Sequence, residues 1–297
     1  MSSPEPKAMN PIASGFFQQR RRSSKAVRFL GTLALLCSPV LAAAATDISA
    51  PAGTVVMVTG KGTIADTSGT VRAIVKGGVV YNGEIINSSA ATYINIRFSD
   101  GGMTLLRPKS RFKVEDYRNI QPPSSQGTAA PASPSPTPST TASLQQLPDL
   151  TPGPGSHAFF RLLKGGFRAV SGLIGRVEHD DYSVTTPVAT IGIRGTDYIA
   201  VICDNACATD PVILKSLPHG IPPQGGLVTA VKHGRIALGT QGLCPSNPSA
   251  AAARTDCVEV QGGEYHFTSS DGQQIDLPSE PQFMKADPMP DPLSCKG

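Results

Sequence analysis

Residues 185–196 read TTPVATIGIRGT, and this stretch sets the interpretation of the whole chain. Ile191 and Ile193 fall on one face of a strand, because successive side chains of a strand point to opposite sides. Gly192 and Arg194 fall on the other face, where the missing side chain of Gly192 leaves room for a neighbouring backbone or ring. The stretch therefore predicts a β-strand that packs closely against another element.

The end of this stretch predicts a bend with a charged group beside it. Gly195 suits a positive φ, and the hydroxyl group of Thr196 can cap a turn. Arg194 has two interpretations, because its planar donor fork either contacts an anionic partner or satisfies carbonyl and carboxylate groups where strands converge. Gly192, Arg194, Gly195 and Thr196 are the candidate residues for partner contact.

Short apolar runs separated by glycine turns continue on both sides of this stretch. Residues 94–98 alternate between apolar and polar, and DGG at 100–102 predicts a turn into a second strand at 103–106. His233-Gly234 and Gln261-Gly262-Gly263 predict two further hairpins. We therefore expect an all-β protein of many short strands, arranged as a sandwich, a roll or a solenoid.

The first 45 residues have the layout of a signal peptide. A basic cluster at 20–28 precedes an apolar run at 29–41 and small residues that fit cleavage after Ala45. A membrane anchor is the alternative, but Pro39 interrupts a run that is shorter than the ~20 residues that span a bilayer. We expect a periplasmic or secreted protein with no stable membrane anchor after cleavage.

Export changes how the net charge of +4 is interpreted. Residues 1–45 hold six of the 26 basic residues and one of the 22 acidic residues, which leaves 20 basic and 21 acidic residues in the mature part. A protein that binds phosphate backbones needs a basic surface. We therefore expect no nucleic acid partner.

The cysteines of the mature part favour disulfides over a metal site. In an oxidising compartment thiols pair, and the spacing here lacks the second close pair or the histidines that zinc sites use. We predict one bond between Cys203 and Cys207 and another between Cys244 and Cys257 at the base of a hairpin. Cys295 is left over, either as a free thiol or bonded to another chain.

The sequence contains no local catalytic motif. It has no H-E-x-x-H, G-x-S-x-G, P-loop or G-x-G-x-x-G pattern. The adjacent residues His179, Asp180 and Asp181 favour a solvated turn, because neighbouring strand residues point to opposite faces and do not share a metal. We expect no enzymatic activity, no metal and no cofactor. A cell-wall carbohydrate-active enzyme is the remaining enzymatic alternative, and the absence of tryptophan disfavours it.

The stretch at 185–196 closely resembles the signature of the FecR domain family. The hairpin region at 83–106 and LKGGFR at 163–168 are similar to family features in the expected order. The resemblance covers about residues 53–200 and implies a periplasmic or secreted module that binds another envelope component. Only about 28 residues precede the apolar run, too few for a helical anti-sigma segment, so we do not expect anti-sigma activity.

A proline-rich stretch at 122–155 separates the family-like features. It carries nine prolines among small polar residues and buries too little apolar surface to offset its ordering entropy. Because the features lie on both sides, we predict one β domain, 46–121 and 156–200, interrupted by a disordered insertion. A hairpin extension at 201–280 and a disordered tail at 281–297 are expected to follow.

Two non-enzymatic functions remain open at this point. The first is a binding or sensing module of the bacterial cell envelope, whose partner is an envelope protein or a cell-wall component. The second is an accessory of cell-surface signalling of the sigma factor and TonB-type transporter kind, in which the domain contacts an outer-membrane transporter or a regulator, as the resemblance implies. Neighbouring genes for a sigma factor and a transporter would favour the second.

Overall fold

Short strands dominate the computed structural model, which describes residues 50–121, 151–177, 179–286 and 288–293. Within these ranges the strands are β1 (Gly53–Val58), β2 (Gly62–Ala65), β3 (Val71–Ala73), β4 (Val79–Val80), β5 (Ile85–Ser88), β6 (Ile94–Phe98), β7 (Met103–Leu106), β8 (Arg111–Arg118), β9 (His157–Lys164), β10 (Gly166–Val170), β11 (Tyr182–Thr185), β12 (Thr190–Ile202), β13 (Leu227–Gly239), β14 (Cys257–Gln261), β15 (Tyr265–Thr268) and β16 (Gln274–Leu277). The helices are α1 (Ile174–Val177), α2 (Asn205–Ala208), α3 (Pro211–Ser216), α4 (Pro248–Ala252) and α5 (Gln282–Ala286). No helix in these ranges is long and apolar enough to cross a bilayer.

These strands belong to one curled sheet, and β12 joins its two wings. The first wing has the strand order β3-β2-β5-β8-β9-β11, and the second wing has the order β10-β7-β6-β1-β4. β12 pairs with β11 through Thr190 and Ile191, and with β10 through residues 197–201. β13 runs antiparallel along the other edge of β12, so most of the expected extension at 201–280 is part of the same sheet. The prediction of an all-β protein is confirmed.

The inner faces of the two wings enclose the main hydrophobic core. Phe112 and Phe160 belong to the first wing, Phe98 and Phe167 belong to the second, and all four are buried. The ring centroids of Phe98 and Phe160 lie 4.8 Å apart, and those of Phe112 and Phe167 lie 5.6 Å apart. Each buried aromatic side chain contributes about 1.5–3 kcal/mol. These contacts hold the wings face to face, so the arrangement is a roll rather than a solenoid.

A second apolar cluster lies on the outer face of the second wing. Leu105 and Ile199 contribute to it from β7 and β12, and α3 and α5 cover it. The structure differs here from the predicted disordered tail at 281–297, because Met284 and Met289 are buried in this cluster. Met284 and Met289 hold these residues against the second wing through apolar contacts. The proline-rich composition of residues 281–297 does not indicate such contacts.

The hairpin predicted between residues 94 and 106 is confirmed. β6 pairs antiparallel with β7, with Ile94 opposite Leu106. Gly101 has φ +84°, and the N–H of Gly102 donates to the carboxylate of Asp100 at 3.0 Å. The turn is therefore closed by residues that are neighbours in the sequence.

The other two predicted hairpins are wrong. Residues 227–239 form one continuous strand, and both β14 and β15 pair with β13 rather than with each other. Gly234 has φ +74° and Gly263 has φ +90°, and at this level the pairing of β13 with its neighbours is interrupted. A β-bulge bends a strand without reversing it. Because a bulge glycine and a turn glycine both adopt a positive φ, the sequence pattern did not separate them.

Strands from the two sides of the proline-rich stretch pair with each other. β7 pairs with β10, and β8 pairs with β9. This pairing supports the prediction of one domain with an insertion, which stays a prediction. Residues 122–150, the predicted signal peptide with its cleavage after Ala45, and Cys295 lie outside the described residues.

Candidate functional site

The signature stretch lies at the corner where β12 passes from the first wing to the second. Arg194 is the last paired residue before the corner, and Asp197 is the first one after it. Gly195 has φ +61°, and a Cβ atom on Gly234 of β13 would collide with the carbonyl group of Gly195. Both strands therefore bend together only because each has a glycine at this level.

Thr196 holds the corner through its backbone. Its N–H donates to Oγ of Ser171 at 2.9 Å, and its carbonyl accepts from the N–H of Ser171 at 2.9 Å. The hydroxyl group is buried and has no hydrogen-bond partner in the part of the chain that the structure describes. The expected hydroxyl cap is therefore wrong, because the strand continues past Thr196 and leaves no turn there to cap.

Arg194 points away from the main core, on the face opposite Ile193. Its Nη2 donates to the carbonyl of Ser246 at 2.8 Å, and its Nε lies 3.7 Å from Oε1 of Glu259. The side chain is 18% exposed. This arrangement agrees with the interpretation that the guanidinium satisfies polar groups where strands converge, and contact with an anionic partner stays a prediction.

A cross-linked loop, residues 240–256, covers this face of the sheet. Leu243 packs over Gly192, where a Cβ atom would lie 2.8 Å from Cδ1 of Leu243. Arg254 donates to the carbonyl of Leu243 at 2.9 Å and to the carboxylate of Asp256 at 2.9 Å. The hydrogen bond from Arg254 lowers the pKa of Asp256 to about 2. The loop is therefore held by its own ion pair as well as by the sheet.

Both predicted cysteine pairs lie at disulfide distance. The Cα atoms of Cys244 and Cys257 are 5.8 Å apart, and those of Cys203 and Cys207 are 5.1 Å apart. Cys257 begins β14 opposite Gly239. The pairing of β13 with β14 stops there. Cys244 and Cys257 therefore fasten the cross-linked loop to the sheet and do not lie at the base of a longer strand pair.

Ser246 ties the cross-linked loop to the corner at a second point. Its carbonyl accepts from Arg194, and its hydroxyl donates to Oδ2 of Asp180 at 2.8 Å. His179 and Asp181 lie in the same turn as Asp180. Within the described ranges, no group of three His, Cys, Asp or Glu side chains is arranged as metal ligands would be.

A cavity of about 270 Å³ lies between the cross-linked loop and the sheet. Its polar wall is formed by Arg194 and Glu259. The apolar part of its lining includes Ala237, Pro245, Ala251 and Val258. The cavity can hold a small apolar group that carries a polar end next to the guanidinium. Sequence reasoning identified Arg194, Cys244 and Cys257, but not the cavity that they border.

Sequence reasoning also missed a buried polar row on β13, β15 and β16. Thr229 lies opposite His266, and Thr268 lies opposite Gln274. Each has a buried side-chain atom with no hydrogen-bond partner among the described residues. Nδ1 of His266 lies 2.8 Å from Asp276, and burial lowers the pKa of His266. No spacing pattern indicates this row, because pairing between strands assembles it.

Comparison with known proteins gives no sequence match. No protein-family model matches the chain, and no curated protein matches it either. Two crystal structures of "a putative anti-sigma factor" from Parabacteroides distasonis ATCC 8503 are similar, with TM-scores of 0.38 and 0.37, each at 10% identity and over 68% of this chain. The chain spans 62% and 63% of the length of those chains, less than two thirds. The all-β class therefore rests on the chain's own strands.

Proposed function

We propose that this protein is an exported, non-enzymatic binding module of the bacterial cell envelope, and that an acidic group of an envelope partner binds at Arg194. The cavity under the cross-linked loop carries this proposal, because it places Arg194 and Glu259 at one end of an otherwise mainly apolar lining. Binding sites commonly combine an apolar lining with a few placed polar groups.

The guanidinium of Arg194 is oriented before a partner arrives. The carbonyl of Ser246 accepts from one of its five donors, and the Glu259 carboxylate at 3.7 Å from Nε lies within ion-pair distance but beyond hydrogen-bond distance. A planar fork that is already fixed can bind a carboxylate at two points with little further loss of side-chain freedom. The expected partner is therefore an envelope component that presents a carboxylate.

The cross-linked loop supports both the location and the binding role. Paired cysteines persist outside the cytoplasm, where thiols are oxidised. Cys244 and Cys257 also border the cavity, so their bond fastens the roof of the site. A roof that is ordered in advance lowers the entropic cost of binding.

Photo-crosslinking in intact cells tests this proposal. A photoreactive amino acid at Ala251, which lines the cavity, should capture an envelope component that the same group at exposed Val71 does not capture. Arg194→Gln should abolish this capture. The matched change Arg235→Gln, which also removes an ion pair with Glu259 but lies outside the cavity lining, should preserve it.

Two outcomes would count against the proposal. Capture at Ala251 that survives Arg194→Gln in a folded variant would remove Arg194 from the site. No capture at Ala251 beyond that at Val71 would remove the cavity itself. If capture occurs, the identity of the partner distinguishes the two roles, because a transporter or regulator indicates cell-surface signalling and another component indicates a separate binding role.

A further inference from the structure

The last described residues, 288–293, form a segment that lies on the second wing, and we call it the tail segment. It reads PMPDPL and contains neither helix nor strand. It makes polar contacts with Asn95 on β6 and Arg168 on β10. Neither residue lines the Arg194 cavity, so this surface is separate from the proposed function.

The sheet contacts the tail segment through main-chain carbonyl groups. Nδ2 of Asn95 donates to the carbonyl of Pro292 at 2.9 Å, and Nη1 of Arg168 donates to the carbonyl of Met289 at 3.3 Å. Arg168 also lies 3.9 Å from the carboxylate of Asp291. Main-chain contacts of this kind recognise an extended peptide with little regard to its side chains.

The buried positions of the tail segment follow the same spacing as its contacts. Met289 and Pro292 are buried, whereas Pro288, Pro290 and Asp291 are exposed. The two buried residues are also the two whose carbonyls accept hydrogen bonds. Three residues make one turn of a polyproline II helix. The sheet therefore contacts two residues three positions apart, which is the spacing of one turn of such a helix.

The groups that contact the tail segment are costly to bury. Asn95 is completely buried, and Arg168 is held by a fork of hydrogen bonds to Asp197 at 2.9 and 2.6 Å. Among the described residues, Oδ1 of Asn95 has no hydrogen-bond partner. Pro292 has no N–H that could donate to it. If the tail segment only covered an apolar face, that face would need neither Asn95 nor Arg168, because buried polar groups without partners lower stability.

We propose that this face of the second wing is a peptide-binding groove, which the tail segment occupies within its own chain and which binds an extended segment of a partner protein with an acidic residue two positions after an apolar one. The contacts of the tail segment define the ligand as an apolar residue at the place of Met289, an acidic residue at the place of Asp291 and a residue at the place of Pro292 whose carbonyl meets Asn95. A non-proline residue at the place of Pro292 suits the groove better, because its N–H can pair with Oδ1 of Asn95.

Fluorescence polarisation with labelled peptides tests this proposal on the full chain. One peptide has the sequence of residues 285–293, and the other has leucine in the place of Pro292. The Met289→Glu chain, which loses a buried anchor, should bind the first peptide at least about tenfold more tightly than the wild type does, because the attached tail competes at a millimolar effective concentration. The exposed change Pro290→Ala should behave as the wild type.

The leucine peptide should bind the Met289→Glu chain about threefold to tenfold more tightly than the first peptide, as one added hydrogen bond provides. Adding Asn95→Leu should remove most binding of both peptides. A folded Met289→Glu chain that binds neither peptide, or that binds equally with Asn95→Leu, would overturn the groove. If circular dichroism shows that Met289→Glu does not fold, the milder Met289→Ala chain must show the same order of affinities.

Discussion

The hairpin at Gly101 and the corner at Gly234 have the same kind of glycine with opposite consequences. Their φ angles are +84° and +74°. A Cβ atom on Gly101 would meet nothing within 4 Å, whereas one on Gly234 would collide with the carbonyl of Gly195. The chain reverses at Gly101 and only bends at Gly234. A positive φ therefore does not decide between a turn and a bulge, and the neighbouring strand does.

The two regions also differ in what holds them. At the hairpin, Asp100 accepts from the N–H of Gly102, so the turn is closed within three residues. At the corner, Thr196 is bonded to Ser171 and Arg194 is bonded to Ser246, which come from distant parts of the chain. The hairpin turn has a local hydrogen bond in addition to its contacts with Tyr117 and Ile174, whereas the corner is held by distant residues.

Alanine substitution at Gly101 and at Gly234 should give the largest difference in the free energy of unfolding. Gly101→Ala should lower the free energy of unfolding by about 1 kcal/mol, because it only imposes a positive φ on a residue with a side chain. Gly234→Ala should lower it by at least about 3 kcal/mol, because backbone atoms must also move. Urea denaturation measures both values. Equal losses would show that the corner does not depend on the close approach of Gly195 and Gly234.

Removing the cysteine pairs should have the next largest effect. Replacing Cys244 and Cys257 by serine should cost about 3 kcal/mol, and replacing Cys203 and Cys207 should cost about 2 kcal/mol, because the closed loop is longer in the first case. The sequence separations are 13 and 4 residues. Thermal unfolding measures the losses, and non-reducing peptide mapping identifies the bonds. A bond between Cys203 and Cys257 would contradict both pairings.

The buried side chain of His266 should make the free energy of unfolding depend on pH. Burial lowers the pKa of His266 below its ordinary value of 6.5, against the opposing influence of Asp276, Gln274 and Glu264. The unfolded chain therefore binds more protons than the folded chain as the pH falls, so the free energy of unfolding should decrease as the pH falls through about 6.5. His266→Gln should flatten this dependence. Parallel pH profiles of the variant and the wild type, measured by urea denaturation, would contradict the prediction.

Cutting the proline-rich stretch should have the smallest effect. Strands on its two sides pair with each other, so proteolysis within residues 122–150 should leave two fragments that stay associated and unfold in one transition. A long closed loop adds little closure entropy, about 0.6 kcal/mol for each doubling of its length. Native size-exclusion chromatography and calorimetry after limited proteolysis check this. Fragments that separate and unfold independently would indicate two domains instead.

Much of the candidate site could be identified from the sequence, but its contacts could not. Arg194 and its two interpretations follow from the alternation of residues 191–194, which is a local property. Its hydrogen-bond partner Ser246 is 52 residues away, in a loop whose path depends on Cys244 and Cys257. Spacing in the sequence carries no information on which distant carbonyl a guanidinium will meet.

The sequence by itself determined the strand-rich class and the hairpin at 94–106, because side-chain alternation and turn residues act over a few positions. Only the tertiary structure decided that the bend of β12 joins two wings, that β13 does not reverse at Gly234, and that Met289 is buried. The physical reason is the same in each case. Each outcome depends on which distant part of the chain packs against the residue. A packed neighbouring strand restricts the backbone at a glycine and buries a methionine, and open solvent does neither.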